Sequence, residues 1–224
     1  MTEQEQPGFD PRLDWAAEGA TLLARACPVL VVVDVLRFTT AVEVAVARDA
    51  QVVPRRWPGW GSSSLSPVSL LGTAPGARVE LAFPNGATVS LAAAEAGAVV
   101  LAGCLRNASA VAAAARRLGG PVGVVAAGER RPDGDLRPAV EDLVGAGAVL
   151  HALRGRPSPE AGAAVAAFLD VAADLPAALA GCVSGRELAA RGHVGDLRLA
   201  AKLDVSRVVP RLSGGAFAQL SWPG

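Results

Sequence analysis

The chain has 224 residues, with 21 Lys+Arg against 21 Asp+Glu and 51% hydrophobic content. Zero net charge removes the standing basic field on which nonspecific nucleic-acid binding rests, and the length suits one domain, 1–224, with ample apolar residues for a core. Cys27, Cys104 and Cys182 are odd in number and form no C-x-x-C pair, which excludes a disulfide framework or a zinc site of ordinary spacing.

In chain order, the start MTEQEQPGFDPRLDW is acidic and has no apolar stretch, so it does not read as a signal peptide. Residues 14–26 read as an amphipathic helix ended by Pro28. Val29 to Val33 is a run of the kind buried on both faces of a parallel sheet. A helix from Thr39 to Arg48, cappable by Thr39 or Thr40, leads to a short strand near Val52 and Val53. Residues 54–76 are rich in Pro, Gly and Ser and form the one long irregular segment, where Trp57 and Trp60 could stack on a ligand or pin the loop to the core. Alternation then resumes: strand Arg78 to Phe83, helix Ala87 to Ala96, strand Ala98 to Ala102, helix Asn107 to Leu118, strand Val122 to Ala126.

The second half, 131–224, differs from the alternating half at 28–130. Pro138 to Leu153, Pro159 to Val171 and Glu187 to Leu203 look helical, with strands at Arg207 to Leu212 and Ala216 to Leu220. The pattern predicts an α/β fold, a three-layer α/β/α sandwich with a largely parallel or mixed sheet and a helix-rich C-terminal half. No apolar run reaches the ~18 to 20 residues of a membrane span without charge or Pro, so a soluble cytoplasmic protein with no membrane partner is expected. The helices of the second half suit a homodimer and ordinary packing equally.

In open α/β sheets ligands bind beyond the carboxyl ends of the strands, where helix N-termini point. Four strand ends carry polar residues. Asp34-Val35-Leu36-Arg37-Phe38-Thr39-Thr40 suits a metal-bridged phosphate, with Asp for Mg2+, Arg for the oxyanion and the hydroxyls for remaining oxygens; an Asp to Arg ion pair with a helix cap reads as well. Pro84-Asn85-Gly86 can present amides to an anion or make an ordinary turn. Asn107, in GCLRNAS, could bind substrate or cap a helix. After Ala126-Ala127-Gly128-Glu129 come Glu141-Asp142 at a helix start, apt as Mg2+ ligands and equally favoured there by the helix dipole. His151 and His193 have no nucleophile at telling spacing, and G-x-S-x-G, Walker and G-x-G-x-x-G motifs are absent.

Taken together, DVLRFTTA at 34–41, PNGAT at 84–88, GCLRNASAVA at 103–112, AAGE at 126–129 with ED at 141–142, and GHVGDLRLAAKLDVSRVVP at 192–210 resemble the 2-phosphosulfolactate phosphatases of the ComB type. The resemblance implies an α/β/α phosphoric monoester hydrolase that uses Mg2+ to convert 2-phospho-3-sulfolactate to 3-sulfolactate and phosphate, a step in coenzyme M biosynthesis in some archaea. It also implies roles by position: Asp34, Arg37, Glu141 and Asp142 as catalytic, Arg37, Thr39, Thr40, Asn85, Gly86 and Asn107 as substrate-binding, and Asp34, Glu141, Asp142 and Asp196 as metal ligands. Two chemical routes stay open, direct attack by water and a phospho-enzyme on Asp34. The sequence departs from the family's pattern at 54–76, which keeps Ser66-Pro67 but lacks the Gly-Glu element and the Asn of that loop. A sibling phosphohydrolase for another small phospho-acid and a non-catalytic anion-binding or assembly protein of the same fold are the competing readings.

Overall fold

The computed structural model describes residues 2–56, 66–131 and 133–222, so Trp57 and Trp60 lie outside the described residues. Its centre is β2 (Val29–Val33), whose five apolar residues are all buried. The period of two explains why: Val29, Val31 and Val33 enter one core, while Leu30 and Val32 enter the other. Strands β5 (Val99–Gly103) and β6 (Val122–Ala126) flank β2 in parallel, with Val33 level with Gly103 on one side and Ala126 on the other.

One core is closed by α4 (Ala108–Leu118), α5 (Val140–Leu153) and α6 (Pro159–Val171). The opposite core is closed by α1 (Ala16–Leu23), α2 (Phe38–Val46) and α3 (Gly86–Glu95). The fold is therefore the three-layer α/β/α sandwich expected. Close approach of α5 and α6 depends on Gly147, where a Cβ would meet the Ala164 carbonyl oxygen at 2.1 Å. Ser158 caps α6 by accepting from Ala161 N at 3.2 Å, and Pro159 opens the helix where its missing N–H costs nothing.

Among the described residues the main sheet has eight strands, in the order β1 (Arg12–Trp15), β6, β2, β5, β9 (Pro210–Ser213), β10 (Ala216–Gln219), β3 (Gln51–Arg55) and β4 (Arg78–Ala82). It is mixed because the hairpin of β9 and β10 inserts antiparallel between β5 and β3, which in turn pairs parallel with β4.

Several elements differ from expectation. The predicted helix at 14–26 begins as a strand, β1 (Arg12–Trp15), which pairs parallel with β6. A small hairpin, β7 (Glu129–Arg130) with β8 (Leu136–Arg137), follows β6. Helix α7 (Leu175–Gly181) was not foreseen, and the helix predicted over 187–203 is two, α8 (Val183–Ala190) and α9 (Val194–Ala200), parted at Gly192 with φ +83°. The helical stretch Pro159–Gly181 has the length and mean hydropathy, 1.7, of a membrane span. It carries Asp170, Asp174 and Pro176 and seats Ala161, Ala164 and Phe168 in the core.

Candidate active site

The chain leaves β2 at Asp34, a 5%-exposed carboxylate. Asp34 Oδ1 accepts from Phe38 N at 3.1 Å and Oδ2 from Gly86 N at 2.8 Å, so one side chain serves the starts of both α2 and α3. Gly86 is required here by closeness: a Cβ would meet Phe38 Cδ1 at 2.5 Å and Asp34 Oδ2 at 2.6 Å. Asn85 sits at φ −100° and Gly86 opens α3, so the pair makes the turn into that helix and presents the Gly86 amide to Asp34. Thr39 and Thr40 lock the same turn, their hydroxyls donating to Asp34 O and Val35 O at 2.8 Å each.

The next strand end is tied to the first by Asp142. Its Oδ1 accepts from Val35 N at 2.7 Å and its Oδ2 from Gly128 N at 2.9 Å, so it holds the exits of β2 and β6 side by side. Beyond Gly128 comes Glu129, whose Oε1 accepts from Asn85 Nδ2 at 3.0 Å. Arg37 Nη1 donates to Asp196 Oδ2 at 2.8 Å. The other oxygen of Asp196 accepts from the Ser66 hydroxyl and from Val68 N, the latter at 3.1 Å.

These residues meet in a cleft of about 150 Å³ lined by Asp34, Arg37, Asn85, Glu129, Ser184 and Arg191. It lies where the strand-end rule directs a ligand. A larger cavity of about 830 Å³ lies beside the edge strand, lined by Asp14, Trp15, Glu18, Arg25 and Arg130. It shares none of the polar junctions after β2 and β4, and size alone favours it.

The electrostatics of the small cleft are dominated by burial. Burial pushes the Asp34 carboxyl up to about 6 against the pull of its two amide donors, and Glu141 adds to the rise. Glu129 is pushed up to about 7, first by burial and then by the charge of Asp34, with the Asn85 bond pulling back. Asp142 stands well above the usual carboxylate range through burial and then the charges of Asp34 and Glu141. Glu141 is itself 3% exposed and its Oε2 has no partner among the described residues.

The sequence candidates thus divide. Asp34, Arg37 and Asn85 line the cleft; Gly86, Thr39, Thr40 and Asp142 shape its walls from behind; Glu141 acts on it through charge. Asp196 is engaged by Arg37, Ser66 and Val68. Asn107 is not brought to the cleft: its Oδ1 accepts from Cys104 N at 2.9 Å, and its Nδ2 donates to Val208 O at 3.0 Å and Ala102 O at 3.3 Å. Glu129, Ser184 and Arg191 join without having been assigned a role. Glu129 was within reach of the strand-end rule, since it follows β6; nothing in the sequence marked the two residues from α8 and its end.

A cleft beyond the carboxyl ends of parallel strands, lined by carboxylates and arginines, is where an open α/β protein takes its ligand. The chain belongs to the 2-phosphosulpholactate phosphatase family, whose model matches residues 63–215, and it is accordingly a phosphoric monoester hydrolase. The match spans the junctions after β4, β5 and β6, the Glu141-Asp142 pair and Asp196, while 34–41 lies ahead of it. No curated protein matches the chain.

Proposed function

We propose that the enzyme hydrolyses 2-phospho-3-sulfolactate to 3-sulfolactate and phosphate, using the cleft between β2, β6 and α8. The observation that carries the reading is the convergence of Asp34, Arg37, Asn85 and Glu129, from three separate strand ends, on one small cleft. The substrate bears phosphate, carboxylate and sulfonate, and Arg37 and Arg191 supply two guanidinium groups for them.

Water attacks phosphorus, the ester P–O bond breaks, and the leaving alkoxide of sulfolactate takes a proton. Glu129 is the group for the proton: it faces the cleft, Asn85 fixes its Oε1, and a pKa of about 7 lets it hold or release a proton near neutrality. Arg37 neutralises charge growing on the phosphoryl oxygens. Asp142 and the two threonines keep the strand exits in register and do not touch substrate.

Mg2+ is part of this reading. Asp34, Glu129 and Asp142 are each raised by burial and by neighbouring carboxylates, and beside them Glu141 is buried with its Oε2 unpartnered among the described residues, so the charge balance fits a divalent cation. Among the described residues no three acidic, His or Cys side chains form a ready-made ligand set. Mg2+ takes one or two carboxylates and fills its shell with substrate phosphate and water. Asp34, which lines the cleft, would hold it, with the buried Glu141 balancing its charge from behind, and when bound it would withdraw charge from the phosphoryl group. Three free, buried cysteines suit the reducing cytoplasm this reading assigns.

The test is phosphate release from phosphosulfolactate and from a panel of small phospho-acids, with Mg2+ and with EDTA. Metal-dependent turnover of phosphosulfolactate is expected. Turnover of other phospho-acids alone would give the second reading, a sibling phosphohydrolase, which the divergent 54–76 segment favours because its end, Ser66 to Val68, docks beside Arg37 through Asp196. Thermal stabilisation by phosphate without any turnover would contradict both.

A further inference from the structure

We infer that Asp196 is a positioning residue that couples the end of the irregular segment, Ser66 to Val68, to Arg37, so that the segment sets how the guanidinium meets the phosphoryl group. The inference rests on the role of Arg37 in the reading above.

Asp196 is 1% exposed, and its carboxylate takes three donors from two parts of the chain: Arg37 Nη1 at 2.8 Å on Oδ2, and the Ser66 hydroxyl with Val68 N at 3.1 Å on Oδ1. In a low-dielectric site such charge-assisted bonds are strong and mutually dependent. Rotation of the carboxylate that relieves a lost donor on Oδ1 also moves Oδ2, and with it the anchor of Arg37. A guanidinium presents its donors in one rigid plane, so fixing Nη1 fixes the direction of the rest of the fork. Arg37 is itself largely enclosed, with 13% of its side chain exposed, which limits alternative rotamers.

The arrangement gives a physical role to the Ser-Pro that survives at 66–67 in an otherwise divergent segment. It also gives Asp196 a task other than metal ligation, since three donors already meet its two oxygens. Because the partners are 159 and 130 residues apart in sequence, no local pattern reveals the link.

The full-length protein tests the coupling through two readouts, affinity for inorganic phosphate by calorimetry and kcat/KM for phosphosulfolactate. Ser66→Ala is expected to weaken both about fivefold, Ser66→Thr to restore them by retaining the hydroxyl, and Ser66→Ala to add nothing once Arg37→Ala is present. An unchanged phosphate affinity in Ser66→Ala, or the same fivefold loss in the Arg37→Ala background, would overturn the inference alone. Should Arg37→Ala leave phosphate affinity and turnover intact, the functional reading falls first and the coupling with it. Asp196→Asn extends the series, and melting curves on every variant separate lost positioning from lost folding.

Discussion

Two strand-to-helix junctions in this protein look alike in sequence and differ in use. After β2 comes Asp-Val-Leu-Arg-Phe-Thr, and β5 ends on Gly103 and is followed by Cys-Leu-Arg-Asn-Ala. At the second, Arg106 Nε donates to Glu43 Oε2 at 2.5 Å and Nη1 to Leu199 O at 3.1 Å, Asn107 bonds three backbone groups, and Ser109 meets Asp204. At the first, Asp34 also caps helix starts, yet it and Arg37 still line a cleft. The lesson is that a polar residue at a strand end becomes part of a site only where the fold leaves it facing a cavity. One junction holds three segments together, and the other opens onto the cleft.

The largest effect is expected from breaking the structural junction. Arg106→Ala leaves Glu43, 0% exposed and with Oε1 already unpartnered among the described residues, as a buried charge without its cation. Stability should drop by about 3–5 kcal/mol in denaturant melts, with little change in kcat/KM for the protein that stays folded. Arg37→Ala is the mirror experiment: phosphate release should fall on the order of 10²-fold or more, while the melt moves far less than for Arg106→Ala. If both variants lost stability and neither lost specific activity, the division between the junctions would be wrong.

Asn107→Ala and Asn85→Ala sharpen the contrast at smaller scale. The first strips partners from Cys104 N and Val208 O and should cost about 1–3 kcal/mol. The second frees Glu129 Oε1 and should shift the pH profile of turnover with a smaller loss of stability.

The smallest expected effect is on pH dependence. Glu129 is raised from 4.5 to about 7, and Asp34 from 3.8 to about 6. Raised carboxyl pKa values favour the protonated folded state, so their contribution is complete below about pH 4 and is lost as pH rises through about 6 to 7. Glu129→Gln removes its share, so between pH 5 and 8 its melting free energy should decline less than the wild type's, by about 1–2 kcal/mol. An identical decline in both would contradict the assignment of Glu129 as a titrating cleft residue.

How much of this could be read beforehand follows from the range of the interactions. The VLVVV run and the three strand–helix units are local, and the α/β/α architecture was legible from them; the cap expected from Thr39 or Thr40 was not, since α2 begins at Phe38 and its first N–H is taken by Asp34 Oδ1. β1 was not: Arg12–Trp15 is an edge strand of four residues running into a helix, and its Asp14-Trp15 reads as a helix start. The single helix expected over 187–203 breaks at a glycine that periodicity alone overlooks. Asp34, Arg37 and Asn85 were legible because they follow strands. The bonds that decide their use were not, since Asp142 reaches Val35 across 107 residues and Asp196 reaches Arg37 across 159. Asn107 has the sequence context of a ligand and the environment of a clamp, and only the neighbouring backbone at Val208 distinguishes the two.

The most direct measurement is a crystal structure of the enzyme with inorganic phosphate and Mg2+. The account predicts the anion between Arg37 and Asn85, in the cleft that Asp34 and Glu129 line. An anion seated instead in the larger cavity beside Trp15 and Arg25, with the cleft empty, would contradict it.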